Sequence, residues 1–112
     1  MAQPKRLKVK LSPEALSDLD EITDWNIKQN GFDQAFRYRE FLLQGIGHLA
    51  DNFPAARQVK SRPDLRFNVL RWSSRGHGHI VVFVVDDTSE TINVARLYHT
   101  SQNWEKLALR SL

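Results

Sequence analysis

The run IVVFVV, from Ile80 to Val85, decides the fold of this 112-residue chain. Six consecutive apolar residues suit a buried β-strand and fall far short of the ~20 that span a bilayer. Because strand side chains alternate, the even-numbered residues of the run face one side of a sheet and the odd-numbered residues face the other. Both sides of this strand need an apolar cover, which predicts a central strand.

Two further strands are expected next to this run in sequence. The apolar run belongs to a strand over residues 78–85, and residues 65–72 and 91–98 also have the composition of strands. Turn-forming residues separate the three strands at 73–77 and 86–90. Such short connections join antiparallel neighbours, so the three strands are predicted to form an antiparallel meander.

The beginning of the chain predicts one strand and then a helix. Apolar residues and lysines alternate over residues 7–11, as in a half-buried strand. Ser12 can cap a helix whose first turn contains Pro13, and Gly31 can end it, so we expect helix one over residues 13–29. Its expected apolar stripe is Leu16, Leu19, Ile22 and Trp25, with Asp18, Asp20, Glu21 and Asp24 pointing outward.

A second helix is expected over residues 33–50, followed by a basic loop over residues 55–64. Gly45 and Gly47 weaken this helix but leave room for another element to approach closely. A short helix over residues 101–109 closes the chain. The buried stripe expected for the second helix is Ala35, Tyr38, Leu42, Ile46 and Leu49.

These elements predict an α+β fold in the order β-α-α-β-β-β(-α), as a single domain over residues 1–112. The helical hairpin packs on one face of a small antiparallel sheet. The other face of the apolar strand needs a second cover. The candidates are the C-terminal helix, through Trp104 and Leu107, and a partner chain. We favour a combination of the two.

Composition excludes several kinds of site. The chain has no cysteine, which excludes disulfides, thiolate catalysis and cysteine-based metal sites. Its first ten residues are basic and contain no apolar segment, so we expect no secretory signal and a cytoplasmic protein. His77 and His79 form an H-x-H pair, but no carboxylate or third histidine is close to them in sequence. We therefore expect no metal and no cofactor.

Charge is divided unevenly along the chain, although its net value is only +3. Residues 12–53 carry eight acidic side chains against three basic ones, whereas residues 54–85 carry six basic side chains against Asp64 alone. A basic stretch of this kind attracts nucleic acid or an acidic protein partner, or is simply a solvated surface.

Several segments, taken in order, carry a family resemblance. They are LSPEALSDLDEI (11–22), GFDQA (31–35) with Tyr38, LADNFP (49–54), Arg66, HIVVF (79–83) and INVARLYH (92–99). Together they resemble the RelE/ParE family of bacterial toxins, and the ParE branch more closely. The resemblance covers roughly residues 7–104. It rests on the ordered set, since no single segment is specific.

The resemblance implies the toxin half of a type II toxin–antitoxin pair. Family antitoxins lay a helical, otherwise disordered segment over the toxin. The apolar strand and the basic residues 54–85 suit a cognate antitoxin with an acidic segment of that kind. ParE-like members bind DNA gyrase and need no catalytic group, whereas RelE-like members cut messenger RNA on the ribosome without a metal.

The residues at the nuclease positions favour the gyrase-binding branch. Two lysines of RelE-like enzymes fall on Phe67 and Val69, and an arginine falls on His79. Apolar side chains cannot stabilise a phosphate transition state. We therefore expect a gyrase inhibitor with no catalytic residue. The alternatives are a ribosome-dependent mRNA endonuclease and a degenerate, non-toxic member that binds its antitoxin and regulates.

The candidate site residues differ between these alternatives. A nuclease would use cations and histidines at strand ends, namely Arg66, Arg71, His79, Arg96 and His99. A binding toxin would contact its target or antitoxin through Arg62, Arg66, Arg71, Arg75, Arg96, Tyr98 and Trp104. Structural roles are also open for two of these residues. Arg96 shares strand parity with Ile92 and Val94, so it snorkels or pairs with a helix-one carboxylate, and Tyr98 is a core aromatic with a wet tip.

Overall fold

The computed structural model describes residues 6–73 and 76–112 and confirms the α+β class. Two residues of the predicted 73–77 turn, including Arg75, lie outside the described part. The elements in chain order are β1 Lys8–Leu11, α1 Pro13–Asn30, α2 Phe32–Gly47, α3 Leu49–Asn52, a 3-10 turn Phe53–Ala55, β2 Arg57–Val59, β3 Arg62–Leu70, β4 His79–Asp86, β5 Thr91–His99 and α4 Trp104–Ser111.

Five strands form one sheet in the order β1-β5-β4-β3-β2, with the apolar run in the middle strand. β3, β4 and β5 form the predicted antiparallel meander. β1 pairs parallel to β5, with Lys8 opposite Thr91 and Leu11 opposite Val94. A parallel pair needs a long crossover, which the intervening helices supply. The sheet is therefore mixed rather than purely antiparallel.

The segment predicted as a basic loop contains a short edge strand, so that prediction is wrong over residues 57–59. β2 pairs antiparallel with β3, and Val59 turns into the core with only 2% of its surface exposed. One apolar residue among polar neighbours produces no alternation, so the sequence carried no strand signal here.

The helical hairpin covers one face of the sheet, as predicted. Val81 and Phe83 of β4 are fully buried against this hairpin, in one cluster with Leu19 and Leu42. The five side chains expected to form the buried stripe of the second helix are all buried. Gly45 allows the predicted close approach, since a Cβ there would lie 2.7 Å from Leu70 Cδ1, whereas Gly47 has nothing within 4 Å.

The chain's own C-terminal helix covers the opposite face. Ile80 and Val82 of β4 lie in a second buried cluster with Ala108 of α4, and the Trp104 ring lies 4.5 Å from that of Phe67. Arg62 holds the end of α4, because its guanidinium donates to the Leu112 carbonyl at 2.7 Å as well as to Asp64. The intramolecular part of the predicted cover is confirmed.

Helix α1 begins and ends at the predicted signals but presents a different face to the core. The Ser12 hydroxyl caps it by accepting from the Ala15 N–H at 3.0 Å, and Gly31 ends it with a φ of 85°. Leu16 and Trp25 were expected to be buried, but they are 46% and 63% exposed. Asp18 was expected to point outward, but it is buried.

A one-residue bulge in β5 lies beside the start of α1. Val82 pairs with Arg96 and Phe83 with Val94, so Ala95 between them has no residue opposite. The bulge reverses strand parity, and the expectation that Arg96 shares a face with Ile92 and Val94 is wrong. The Ser12 hydroxyl donates to the Ala95 carbonyl at 2.8 Å, so the cap of α1 also holds the bulge.

Candidate functional site

A cleft opens at the end of the sheet where β4 begins and β5 ends. His79 and His99 occupy those positions and pair directly across the two strands. The second half of α1 and the loop after β3 lie beside them and enclose a volume of about 790 Å³. We call this space the histidine cleft. The residues that line it are Glu21, Ile22, Trp25, Asn26, Gln34, Tyr38, Trp72, Ser73, His77, His79, His99, Ser101 and Gln102.

The ring of His99 lies between two other histidine rings in the cleft. The ring centroid of His99 lies 5.2 Å from those of both His77 and His79. Burial, assisted by the charge of His99, lowers the pKa of His79 to about 4. Burial also lowers the pKa of His99, and His77 contributes in the same direction. His79 is therefore a neutral imidazole at physiological pH.

Tyr38 and Trp72 form an aromatic wall beside His79. The Tyr38 hydroxyl lies 2.6 Å from His79 Nδ1, and burial raises the Tyr38 pKa to about 12, so a neutral phenol meets a neutral imidazole. The Trp72 ring stacks on Phe41 at 6.0 Å with an interplanar angle of 12°, and it lies 5.3 Å from the Tyr38 ring. These contacts hold Trp72 in place although it is 46% exposed.

A smaller pocket of about 330 Å³ continues the cleft toward Arg96. The Arg96 guanidinium donates to both Asp18 oxygens, at 2.8 and 3.0 Å, and lies 5.3 Å from the centre of the Tyr98 ring. The expected pairing of Arg96 with a helix-one carboxylate is confirmed. Its charge is thus already compensated within the chain.

Tyr98 is a buried aromatic without the expected wet tip. Its hydroxyl is buried and has no hydrogen-bond partner within residues 6–73 and 76–112. Burial raises the pKa of Tyr98, while Arg96 and Ser111 act in the opposite direction.

The other candidate residues are not gathered at the cleft. Arg66 donates to the Phe53 carbonyl at 3.0 Å, Arg62 is held by Asp64 and Leu112, and Arg71 is exposed after β3. Trp104 packs on Phe67 on the α4 face of the sheet. Of the five residues named for a nuclease, His79, Arg96 and His99 line one pocket, and Arg66 and Arg71 do not.

The two positions where the resemblance places nuclease lysines lie in the apolar layer under α4. Phe67 and Val69 are partly buried against the cluster that contains Ile80, Val82 and Tyr98. The ring of Phe67 is also 5.9 Å from the Arg57 guanidinium. This layer stabilises the fold by excluding water and offers no cation to a phosphate group.

Two findings concern other kinds of site. Over residues 6–73 and 76–112, no group of three histidine or acidic side chains is arranged to hold a metal ion. Within the same ranges, no helix is both long enough and apolar enough to cross a membrane.

Sequence reasoning missed part of the cleft. Tyr38 was predicted only as a core residue and Trp72 only as the end of a strand. Their convergence on His79 depends on where α2 crosses the sheet, and no local pattern encodes that crossing. The facing of His79 and His99 was not accessible either, because the hairpin register alone would place Tyr98 opposite His79, and the bulge at Ala95 moves that position to His99.

Comparisons with known proteins give a consistent result. A family model described as the ParE toxin of the type II toxin–antitoxin system parDE matches residues 9–104. A solved structure described as the chromosomal ParDE toxin–antitoxin system from P. aeruginosa superposes with a TM-score of 0.69. The two chains are 19% identical, and the match covers 82% of this chain and 94% of that one, which shows the fold alone. No curated protein sequence matches significantly.

Proposed function

Because the chain belongs to the ParE toxin family of type II toxin–antitoxin systems, we propose that it acts by binding and inhibiting DNA gyrase. The proposed toxin uses no catalytic group of its own, and the whole chain acts as one domain. Since gyrase is a cytoplasmic enzyme, the proposal also places the toxin in the cytoplasm.

The apolar layer at Phe67 and Val69 is the observation that carries this proposal. A ribonuclease of the related branch would need cations there, and in this chain both side chains are apolar and partly buried against the cluster beneath α4. Arg96 does not replace those cations, because Asp18 already neutralises it. Losing one charged transition-state contact typically costs ~2.7–4 kcal/mol, or 10² to 10³ in rate, so losing two leaves little activity.

An antitoxin partner follows from membership of a type II pair, and we propose that it contributes an acidic, helix-forming segment. The basic side chains of residues 54–85 supply the complementary charge, and Arg57, Lys60 and Arg71 among them are exposed. We expect a complex that buries well over ~1,200 Å². Isothermal titration with the product of the neighbouring gene tests this point, and binding no tighter than micromolar would contradict it.

The decisive experiment compares two activities of the purified toxin. We expect it to inhibit supercoiling by gyrase and to leave ribosome-bound messenger RNA uncut. In cells, its expression should induce the DNA-damage response before protein synthesis falls. The control is antitoxin in equal amount to the toxin. It should abolish the inhibition of gyrase in the purified assay and, when expressed together with the toxin, the DNA-damage response in cells.

One observation favours a second candidate, the ribosome-dependent nuclease. His79, His99 and Arg96 line the same pocket, which is the arrangement that an acid–base pair beside a phosphate would need. Codon-positioned cleavage of messenger RNA, lost in His79→Ala and in Arg96→Ala, would establish this function. Absence of both toxic activities, with antitoxin binding retained, would instead identify a regulatory member.

A further inference from the structure

We propose that the histidine cleft receives an arginine side chain of a partner protein, with its guanidinium stacked on Trp25 or Trp72 and facing Glu21. The proposal concerns the chemistry of the cleft. It goes beyond the proposed function and does not depend on gyrase being the target.

Two tryptophans give the cleft its first requirement, an accessible aromatic surface. Trp25 on α1 is 63% exposed, and Trp72 after β3 is 46% exposed, although Phe41 and Tyr38 support one side of its ring. The guanidinium of arginine is planar and weakly hydrated and stacks on aromatic faces. The cleft thus presents indole surfaces of the kind that a guanidinium prefers.

The charges of the cleft point to a cation. Glu21 is the one acidic residue among the described residues that line it, and no lysine or arginine is among them. The half-buried His79, with its pKa lowered to about 4, adds no positive charge at neutral pH. Arg96 lies in the adjoining pocket and is paired with Asp18. A phosphate-bearing ligand would meet a carboxylate and no free cation among these residues.

The size of the cleft fits a side chain together with the backbone that carries it. Its volume of about 790 Å³ falls within the ~300–1,000 Å³ of ordinary ligand sites and exceeds what one guanidinium fills. The side chains of Asn26, Gln34 and Gln102 also line it and offer hydrogen bonds to a peptide. These features favour an arginine on a protein segment over a free small cation.

The test uses acetyl-arginine amide as the probe and acetyl-citrulline amide as its neutral isostere. Nuclear magnetic resonance of the full chain resolves the indole N–H signals of its three tryptophans. We expect the arginine probe to shift the Trp25 and Trp72 signals saturably, about tenfold more tightly than citrulline. Trp104 is the internal reference, because it packs on Phe67 outside the cleft.

Matched variants separate the cleft from the rest of the surface. Glu21→Gln should reduce arginine binding to about the citrulline level, whereas Asp24→Asn, on the same helix but outside the cleft, should leave it unchanged. Trp25→Ala should also weaken binding, and Phe36→Ala, another exposed aromatic, should not. All four side chains are exposed, so the variants should fold.

Three results would overturn the proposal. If citrulline bound as tightly as arginine, the charge of the guanidinium would not matter for binding. If Glu21→Gln and Asp24→Asn weakened binding equally, the arginine would not be bound in the cleft. Stronger shifts of Trp25 and Trp72 with a short single-stranded oligonucleotide would identify a nucleic-acid site instead. Each result leaves the gyrase assay unaffected, so failure of this proposal is distinguishable from failure of the proposed function.

Discussion

Asp18 of α1 and Arg96 of β5 form the least exposed ion pair among the described residues. The guanidinium donates to both carboxylate oxygens, and one of those oxygens also accepts from the Leu97 backbone N–H at 2.9 Å. β1 ends at Leu11, opposite Val94, so β5 has no strand neighbour on this side at Leu97. The aspartate takes the place of the missing strand and ties α1 to the sheet.

Removing the charge of Asp18 should destabilise the fold. In Asp18→Asn the guanidinium loses its bidentate partner, and we expect a loss of about 1–3 kcal/mol in the free energy of unfolding, measured in urea. Asp20→Asn is the control, because its pair with Arg39 is 67% exposed on the acidic side and should contribute less than about 1 kcal/mol. Equal losses in the two variants would contradict the special role of Asp18.

Truncating Phe83 should have a larger effect. Its side chain is fully buried against the helical hairpin, so Phe83→Ala should cost about 3–5 kcal/mol. Leu43→Ala, at a leucine that is 41% exposed on α2, should change stability by no more than about 0.5 kcal/mol. A decrease of less than 1 kcal/mol in the free energy of unfolding of Phe83→Ala would mean that the Phe83 side chain is not buried.

The stability of the protein should fall as the pH is lowered from about 6.5 towards 4. The pKa of His79 is about 4 in the folded chain against 6.5 for a free side chain, so the unfolded state binds the proton first. The contribution of His79 to the free energy of unfolding is therefore fully present above about pH 6.5. It declines below that pH, by up to about 1.4 kcal/mol per pH unit.

Urea melts between pH 7 and pH 5 measure this slope without entering the range where carboxylates titrate. His79→Gln should reduce the slope and leave the smaller part that comes from the lowered pKa of His99, whereas His48→Gln, an exposed histidine outside the cleft, should leave the slope in place. A ring signal of His79 that titrates near pH 6.5 in the folded protein would refute the assignment.

Two glycines of α2 should respond differently to alanine. At Gly47 an added Cβ meets nothing within 4 Å, so Gly47→Ala should stabilise the helix by up to about 1 kcal/mol. At Gly45 the same Cβ would collide with the Leu70 side chain. This crowding should lower the free energy of unfolding by about 1–3 kcal/mol, partly offset by the higher helix propensity of alanine. Thermal melts of both variants provide the comparison, and equal melting temperatures would argue against the close approach.

The sequence predicted the central strand, the helical hairpin and the meander, because each depends on apolar periodicity over many residues. It did not predict the bulge at Ala95 or the burial of Asp18. A bulge adds one residue without changing composition, and a buried carboxylate looks like a solvated one until its partner is known. The predicted buried face of α1 was partly wrong for the same reason, because its core-facing side carries the charged residue Asp18, which periodicity assigns to solvent.

The candidate site was predictable only in part. Six residues were expected to be able to converge at strand ends, namely Arg66, Arg71, His79, Arg96, Tyr98 and His99. The last four line the pocket that continues the histidine cleft, and the first two do not. Trp25 was expected in the buried stripe of α1, but it is 63% exposed and lines the cleft. The contribution of Tyr38 required the three-dimensional crossing of α2 over the sheet.

The bulge at Ala95 decides where β5 can change its length. Deleting Ala95 alone would turn the bulge into regular pairing and leave every pairing from Arg96 to His99 unchanged. Deleting Leu97 instead would move His99 out of its position opposite His79 and exchange the sides of the sheet on which the last residues of β5 stand. The loss of a single codon is therefore tolerable at the bulge and damaging beyond it.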